Sequence, residues 1–184
     1  MGIFKRLSAS KTAVSTPQTQ NKNPFSTLDR YIPLSDPQTR LYRELREGIP
    51  VIDAAICKIV RLTGGFKVNC PGERAERELE QFLSTVPVGG NQQGVYAFVS
   101  TYFEQLLTFG TAVGEIVTDG MGNIAALYNA NIDDVELKRA SDGFSAVVCQ
   151  KDLGKSTPVK YPELIMLSVL NPEAGSLFGS SIMK

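Results

Sequence analysis

The sequence predicts an α+β domain in which about four N-terminal helices pack on a small, mostly antiparallel β-sheet. From residue 36 to residue 109, apolar residues recur at the 3.6-residue period of helices. After Gly110 they fall into short alternating runs separated by turn residues. Helices first and strands after is an α+β order, not the alternation of an α/β fold. A chain of 184 residues, 42% of them hydrophobic, can bury one sizeable core but not two ordinary domains. Composition divides it into a disordered N-terminal arm over 1–35, one α+β domain over 36–170 and a C-terminal segment over 171–184.

The arm is rich in Ser, Thr, Gln, Asn and Lys and lacks the apolar periodicity needed to offset the entropy of ordering. Order is expected from Ser35-Asp36-Pro37, an N-cap followed by a proline suited to the first helical turn. The first helix, PQTRLYRELREG, is strongly charged and reads as solvated. Gly48 and Pro50 interrupt it. A second helix follows, PVIDAAICKIVRLTGG, with Ile52, Ile56, Ile59 and Val60 at helical spacing and therefore expected to bury one face. FKVNC, residues 66–70, alternates like a strand. A third helix is expected from Pro71 to Val86, with Glu73 and Glu76 favouring its N-terminus and Ala75, Leu79, Phe82, Leu83 and Val86 forming a stripe. PVGGNQQG reads as a loop. The fourth helix, Val95 to Phe109, is so apolar that little of its circumference should face water, and Phe103→Ala is expected to cost about 3–5 kcal/mol.

Beyond Gly110, TAVGEIVTD and NIAALYNA flank Asp119-Gly120-Met121-Gly122 and should pair as a hairpin. DVELKRA places Val135 and Leu137 on one face and Glu136 and Lys138 on the other. FSAVVCQK follows the turn Ser141-Asp142-Gly143, and ELIMLSVL supplies a last apolar run, so the second half reads as an antiparallel meander.

The residue inventory favours an assembly component over an enzyme. There is no histidine, which removes the commonest general base and the commonest metal ligand. Asp133, Asp134 and Glu136 cluster in sequence and could serve a metal-dependent hydrolase, but at strand spacing Asp134 and Glu136 belong to the face opposite Val135 and Leu137 and should face solvent. Asp119 and Asn123 in DGMGN lack the further acids of a calcium loop and read as a hairpin turn. Gly64-Gly65 and Gly89-Gly90 fit no phosphate-binding pattern, and Gly179-Ser180-Ser181 fails the nucleophile elbow. Cys57, Cys70 and Cys149 are odd in number and far apart, and read as reduced, hydrophobe-like cysteines. No catalytic, cofactor-binding or metal residue is therefore assigned, and no cofactor is expected. Nineteen basic residues balance nineteen acidic ones, so no strong grip on nucleic acid phosphates is expected, and no apolar run is long enough to span a bilayer.

Several segments, taken in order, resemble the N-terminal half of tailed-bacteriophage portal proteins. They are YRELREGIPVIDAAICKIVRLTGG, YFEQLLTFGTAVGEIVTD, GNIAALYNA and LNPEAGSLFGSSIMK. The last is similar to an Asn-Pro-x-x-Gly, aromatic, Gly-x-Ser pattern that precedes a long helix in such portals, filled here by Asn171, Pro172, Gly175, Phe178, Gly179 and Ser181. The opening MGIFKRL is also similar to portal openings. The resemblance implies the wing region of a dodecameric ring at one capsid vertex, in the virion and, during assembly, in the host cytoplasm. Implied partners are further copies of the chain, capsid or scaffolding protein, terminase and head-completion proteins, with double-stranded DNA passing through the full-length ring and no membrane involved. The sequence stops at Ile182-Met183-Lys184, before the stem, clip, tunnel loop and crown of the family, so the resemblance implies a piece without the channel-lining parts. The alternatives left open are a small adaptor module, a prophage remnant and a metal-dependent hydrolase.

Overall fold

The computed structural model describes residues 32–33, 36–63, 65–143, 145–152 and 155–184. The arm expected over 1–35 lies outside these residues, apart from Ile32–Pro33 (β1).

Helix α1, Pro37–Gly48, begins at Asp36, whose Oδ1 accepts from the Thr39 N–H at 2.8 Å while Thr39 Oγ1 accepts from the Asp36 N–H at 2.9 Å. This reciprocal cap satisfies two backbone donors that the first turn otherwise leaves open. Helix α2, Pro50–Thr63, buries Ile56 and Val60 but leaves Ile59 exposed, so its buried face is narrower than the sequence suggests. No strand forms at 66–70. That segment runs between helices with Phe66 and Val68 exposed, and no strand among the described residues pairs with it to complete a ladder. Helix α3 is shorter than expected, Glu73–Thr85, with Gly72 at its N-cap, and the supposed loop after it is a small hairpin of β2, Pro87–Gly89, and β3, Gln92–Gln93.

Helix α4, Val95–Phe109, lies at the centre of the helical layer, contacting α1, α2 and α3 and also the strands that follow. It is less enveloped than its composition predicts. Phe98 and Thr108 are buried, Phe103 is half-buried and belongs to neither core cluster, and Tyr96 is exposed.

The expected hairpins form, but the strands divide into two main sheets instead of one meander. Strand β4, Thr111–Thr118, pairs with β5, Ile124–Asn129, through the Asp119 turn. The last strand, β9 (Ile165–Val169), returns to the other edge of β4, giving the antiparallel order β5-β4-β9. The second sheet is β1-β6-β7-β8, with β6 over Val135–Arg139, β7 over Ala146–Asp152 and β8 over Lys155–Pro158. The result is α+β, with about four helices and antiparallel sheets.

Two apolar clusters join these layers. Val86, Val88, Phe98 and Leu127 pack beneath α4 with Tyr102, Ile116 and Met166. Gly114 makes that approach possible, since a Cβ there would lie 2.8 Å from Phe98 Cζ and 3.2 Å from Tyr102 Cε2. Val113, Ile132, Val135, Leu137, Val148 and Leu177 form the other cluster, which brings strands of both sheets together. Leu177 comes from the C-terminal segment, which is thus part of the core. None of the described helices is long and apolar enough to cross a membrane.

Candidate functional site

The C-terminal segment, which carries the Asn-Pro and Gly-x-Ser pattern, is held against the end of α4 by direct backbone contact. Asn171 turns the chain after β9 with a φ of +44°, and Leu177 then inserts into the core. Gly110 ends α4 at φ +77° and faces Gly179. A Cβ on Gly110 would stand 2.5 Å from the carbonyl carbon of Ser180, and one on Gly179 would strike the Gly110 carbonyl oxygen and the backbone of Leu170. Two chains can approach this closely only where both lack a side chain.

Hydrogen bonds fasten the contact. The Leu170 N–H donates to Gly110 O at 2.8 Å, the Ser180 N–H to Leu170 O at 2.7 Å and the Ile182 N–H to Leu107 O at 3.2 Å. The Gly179 N–H donates to the buried Thr111 Oγ1 at 3.1 Å. Ser181 Oγ donates to Leu107 O at 3.3 Å and accepts from the Met183 N–H at 3.0 Å, so this serine is a clasp and has no base beside it. Glu173 and Lys184 form an exposed ion pair across the segment; the bond and charge of Lys184 lower the Glu173 pKa, and those of Glu173 raise that of Lys184. A cleft of about 520 Å³ remains between the start of α1 and this segment. Its acidic groups are already engaged, Asp36 in the helix cap and Glu173 with Lys184.

A second organising group, Arg46, escaped the sequence reading. From the last turn of α1 its guanidinium reaches Asp53 of α2 at 2.6 Å and Glu104 of α4 at 3.4 Å, and donates to Thr108 Oγ1 at 3.1 Å. Burial works against its charge, but the bonds to Asp53 and Glu104 outweigh that and raise its pKa. One planar fork thus ties three helices together.

The acids singled out as a possible metal or acid/base set are held by different partners. Asp133 and Asp134 fall in a 3-10 turn, Ile132–Asp134, that precedes β6. Asp133 Oδ2 accepts from Arg43 at 3.1 Å, and Asp134 Oδ2 accepts from the Asn131 amide at 3.3 Å. Glu136 does not face solvent as expected. It is 9% exposed, accepts from Ser156 Oγ and lies 3.9 Å from Lys151 Nζ, on a sheet face it shares with buried Cys149. Among the described residues, no group of three His, Cys, Asp or Glu side chains is placed to hold a metal ion.

Asp119 organises the β4–β5 turn. Its Oδ1 accepts from the N–H groups of Met121 and Asn123, both at 2.8 Å, and its Oδ2 from the Asn123 amide at 3.0 Å. These bonds, the Asn123 side chain first, lower its pKa. All three cysteines are free; Cys149 is buried, which pushes its thiol pKa up, and Cys57 and Cys70 are partly exposed.

The fold built this way is shared with chains of solved particles. A chain in the virion of the native gene transfer agent (GTA) particle matches with a TM-score of 0.64 and 18% identity, over 83% of this chain and 40% of its own. One in the neck of the native GTA particle, computed with C12 symmetry, matches with a TM-score of 0.65 and 18% identity, over 86% of this chain and 42% of its own. Another, in the neck of the empty particle computed with C6 symmetry, gives 0.62 and 18%, over 82% and 41%. The chain spans about two fifths of the length of these matches, and at this identity the likeness is one of fold. No protein-family model and no curated protein matches the sequence.

Proposed function

We propose that this chain builds the wing portion of a portal ring, a structural component of a particle vertex through which double-stranded DNA is packaged and released. The observation that carries this reading is the fold shared, over more than four fifths of the chain, with a chain from a particle neck computed with C12 symmetry. The clasped C-terminal segment supports it, because the residues that resemble the portal pattern, Gly179 and Ser181 above all, are the ones that lock this segment to α4.

The partners in this reading are further copies of the chain, capsid or scaffolding protein, terminase and head-completion proteins. The chain acts by shape and surface, with no covalent step. Its balanced charge suits an outer part of the ring that meets protein, while the passage of DNA belongs to the whole ring.

Light scattering on a sizing column, with microscopy of the same fractions, tests the reading on the chain at low and at high concentration. Rings, or partial rings, at either concentration are expected. A stable monomer at both overturns the proposal and shifts the weight to an adaptor.

A further inference from the structure

Helix α2 presents an apolar stripe that none of the described residues covers. Val51, Ala55, Ile59 and Leu62 recur at spacings of four, four and three residues, so they share one helix face, and all four are exposed, Val51 by 72% and Leu62 by 75%. The stripe continues into exposed Phe66 and Val68. The charges that its own segment exposes are basic, with Glu47 at the end of α1 an acid near the start of the helix. Lys58, Arg61 and Lys67 are exposed along it, and the one acid of α2, Asp53, is bound to Arg46.

A second apolar patch sits at the end of the β4–β5 hairpin, where Met121 is 86% exposed and Val117 and Ile124 are also exposed. Its surroundings carry the opposite sign, with Glu115 and Asp119 exposed and no Lys or Arg anywhere from residue 111 to residue 130.

The two patches belong to elements that pack on different faces of α4. Helix α4 gives Phe98 and Tyr102 to the cluster it shares with the β5-β4-β9 sheet, and Glu104 and Thr108 to the Arg46 group that binds α2. At about 100° per residue the pair Phe98 and Tyr102 and the pair Glu104 and Thr108 are centred roughly 120° apart around α4, so the hairpin's sheet and α2 pack on different faces of it.

We propose that the exposed α2 stripe of one copy receives the β4–β5 hairpin tip of the next copy, head to tail. This rests on the ring reading above and names the surfaces that would close the ring. Charge selects the pairing: stripe against stripe would set Lys58, Arg61 and Lys67 facing their like, tip against tip would oppose Asp119 with Asp119, and stripe against tip matches basic with acidic. Two different patches on one molecule make a heterologous contact, which closes into a ring when the rotation between copies allows it.

The test uses two double variants of the full chain. Val51→Asp with Leu62→Asp disables the stripe, and Met121→Asp with Ile124→Asp disables the tip. All four side chains are exposed, and circular dichroism with thermal melting checks that each variant folds as the wild type does. Light scattering over a concentration series should find association weakened about 100-fold or more in each variant alone. Mixed together, the two variants should stop at a 1:1 dimer, because only one intact stripe and one intact tip remain. If wild type assembles and either folded variant assembles equally well, the interface is overturned and the ring reading stands. A tip variant that alone pairs into dimers overturns the head-to-tail arrangement in favour of stripe against stripe. A wild-type chain that stays monomeric, at low and at high concentration, overturns the ring reading and the interface with it.

Discussion

Replacing Gly110 with alanine should destabilise the domain far more than replacing Gly175, although the two glycines have nearly the same positive φ. Gly110 has a φ of +77° and Gly175 a φ of +78°, so an alanine at either site carries the same left-handed penalty, about 1–2 kcal/mol. The surroundings differ. A Cβ on Gly175 meets nothing within 4 Å, whereas one on Gly110 would stand 2.5 Å from the Ser180 carbonyl carbon and 2.6 Å from that of Gly179. Both obstacles are backbone, so the C-terminal segment has to shift. Four hydrogen bonds are then at risk, from Leu170, Gly179 and Ile182 N–H groups and from Ser181 Oγ. At about 0.5–1.5 kcal/mol each, their loss amounts to about 2–6 kcal/mol beyond the shared penalty. With a urea slope of about 2 kcal/mol/M, the midpoints of the two variants should differ by about 1–3 M. Hydrogen exchange should localise the damage, with the amides of Gly179 and Ile182 losing protection together in Gly110→Ala and keeping it in Gly175→Ala. Coincident midpoints would refute the claim that backbone contact at Gly110 holds the segment.

Arg46→Ala should cost about 1–3 kcal/mol in urea unfolding, discounted because Asp53 and Glu104 remain partly solvated, and Arg46→Lys should recover little of it because the planar fork is lost. Since the Arg46 pKa is raised, its contribution is fully present below the ordinary arginine value and fades only as pH rises through the higher folded one, so between about pH 6 and 9 the wild-type-to-Ala difference should be flat. Leu137→Ala should cost about 2–5 kcal/mol, since Leu137 is wholly buried between the sheets, and Phe103→Ala should cost less than that, a ranking that paired melts would check. Asp119 has a lowered pKa, so the stability it contributes is present above the ordinary aspartate value and lost as pH falls through the folded one; below about pH 4, Asp119→Asn and wild type should converge in their melts.

The parts of this fold that were legible in the sequence are those fixed by neighbours along the chain. Asp36 and Pro37 mark the start of α1, and Gly110 the end of α4, because a cap is settled within a few residues. The Asp119 turn announces its hairpin for the same reason. The partner of β9 could not be read this way. Its apolar run suits an edge or a centre equally, and only the three-dimensional closure of β4 against Ile165–Val169 decides that it leaves the β6-β7-β8 strands. FKVNC shows the converse: its alternation is that of a strand, but a strand without a neighbouring backbone is not one. Glu136 was misplaced because alternation assigns a residue to a face and does not say whether that face is covered. Register sets Glu136 opposite Cys149, and Lys151 opposite Ser156, so that the carboxylate finds a hydroxyl and an ammonium on its own sheet face.

The resemblance singled out the residues of the clasp without saying what they hold, and the Arg46 hub was not legible at all, since an arginine in a charged helix looks like any solvated one. Physically the two belong together. The hub fixes α1 and α2 to one face of α4, and the clasp fixes the C-terminal segment to its end. A ring component is sensitive to such joints in a way that a monomeric enzyme is not, because a small tilt between two interaction surfaces is repeated at every contact and a ring closes at only one angle. If the proposed ring forms, substitutions at Gly110, Gly179 or Arg46 that leave the chain folded should therefore show first as open or mis-sized assemblies, before any loss of solubility. In the interface proposed above, the α2 stripe and the hairpin tip belong to elements packed on different faces of α4, so the angle between copies would be set by residues that touch neither surface.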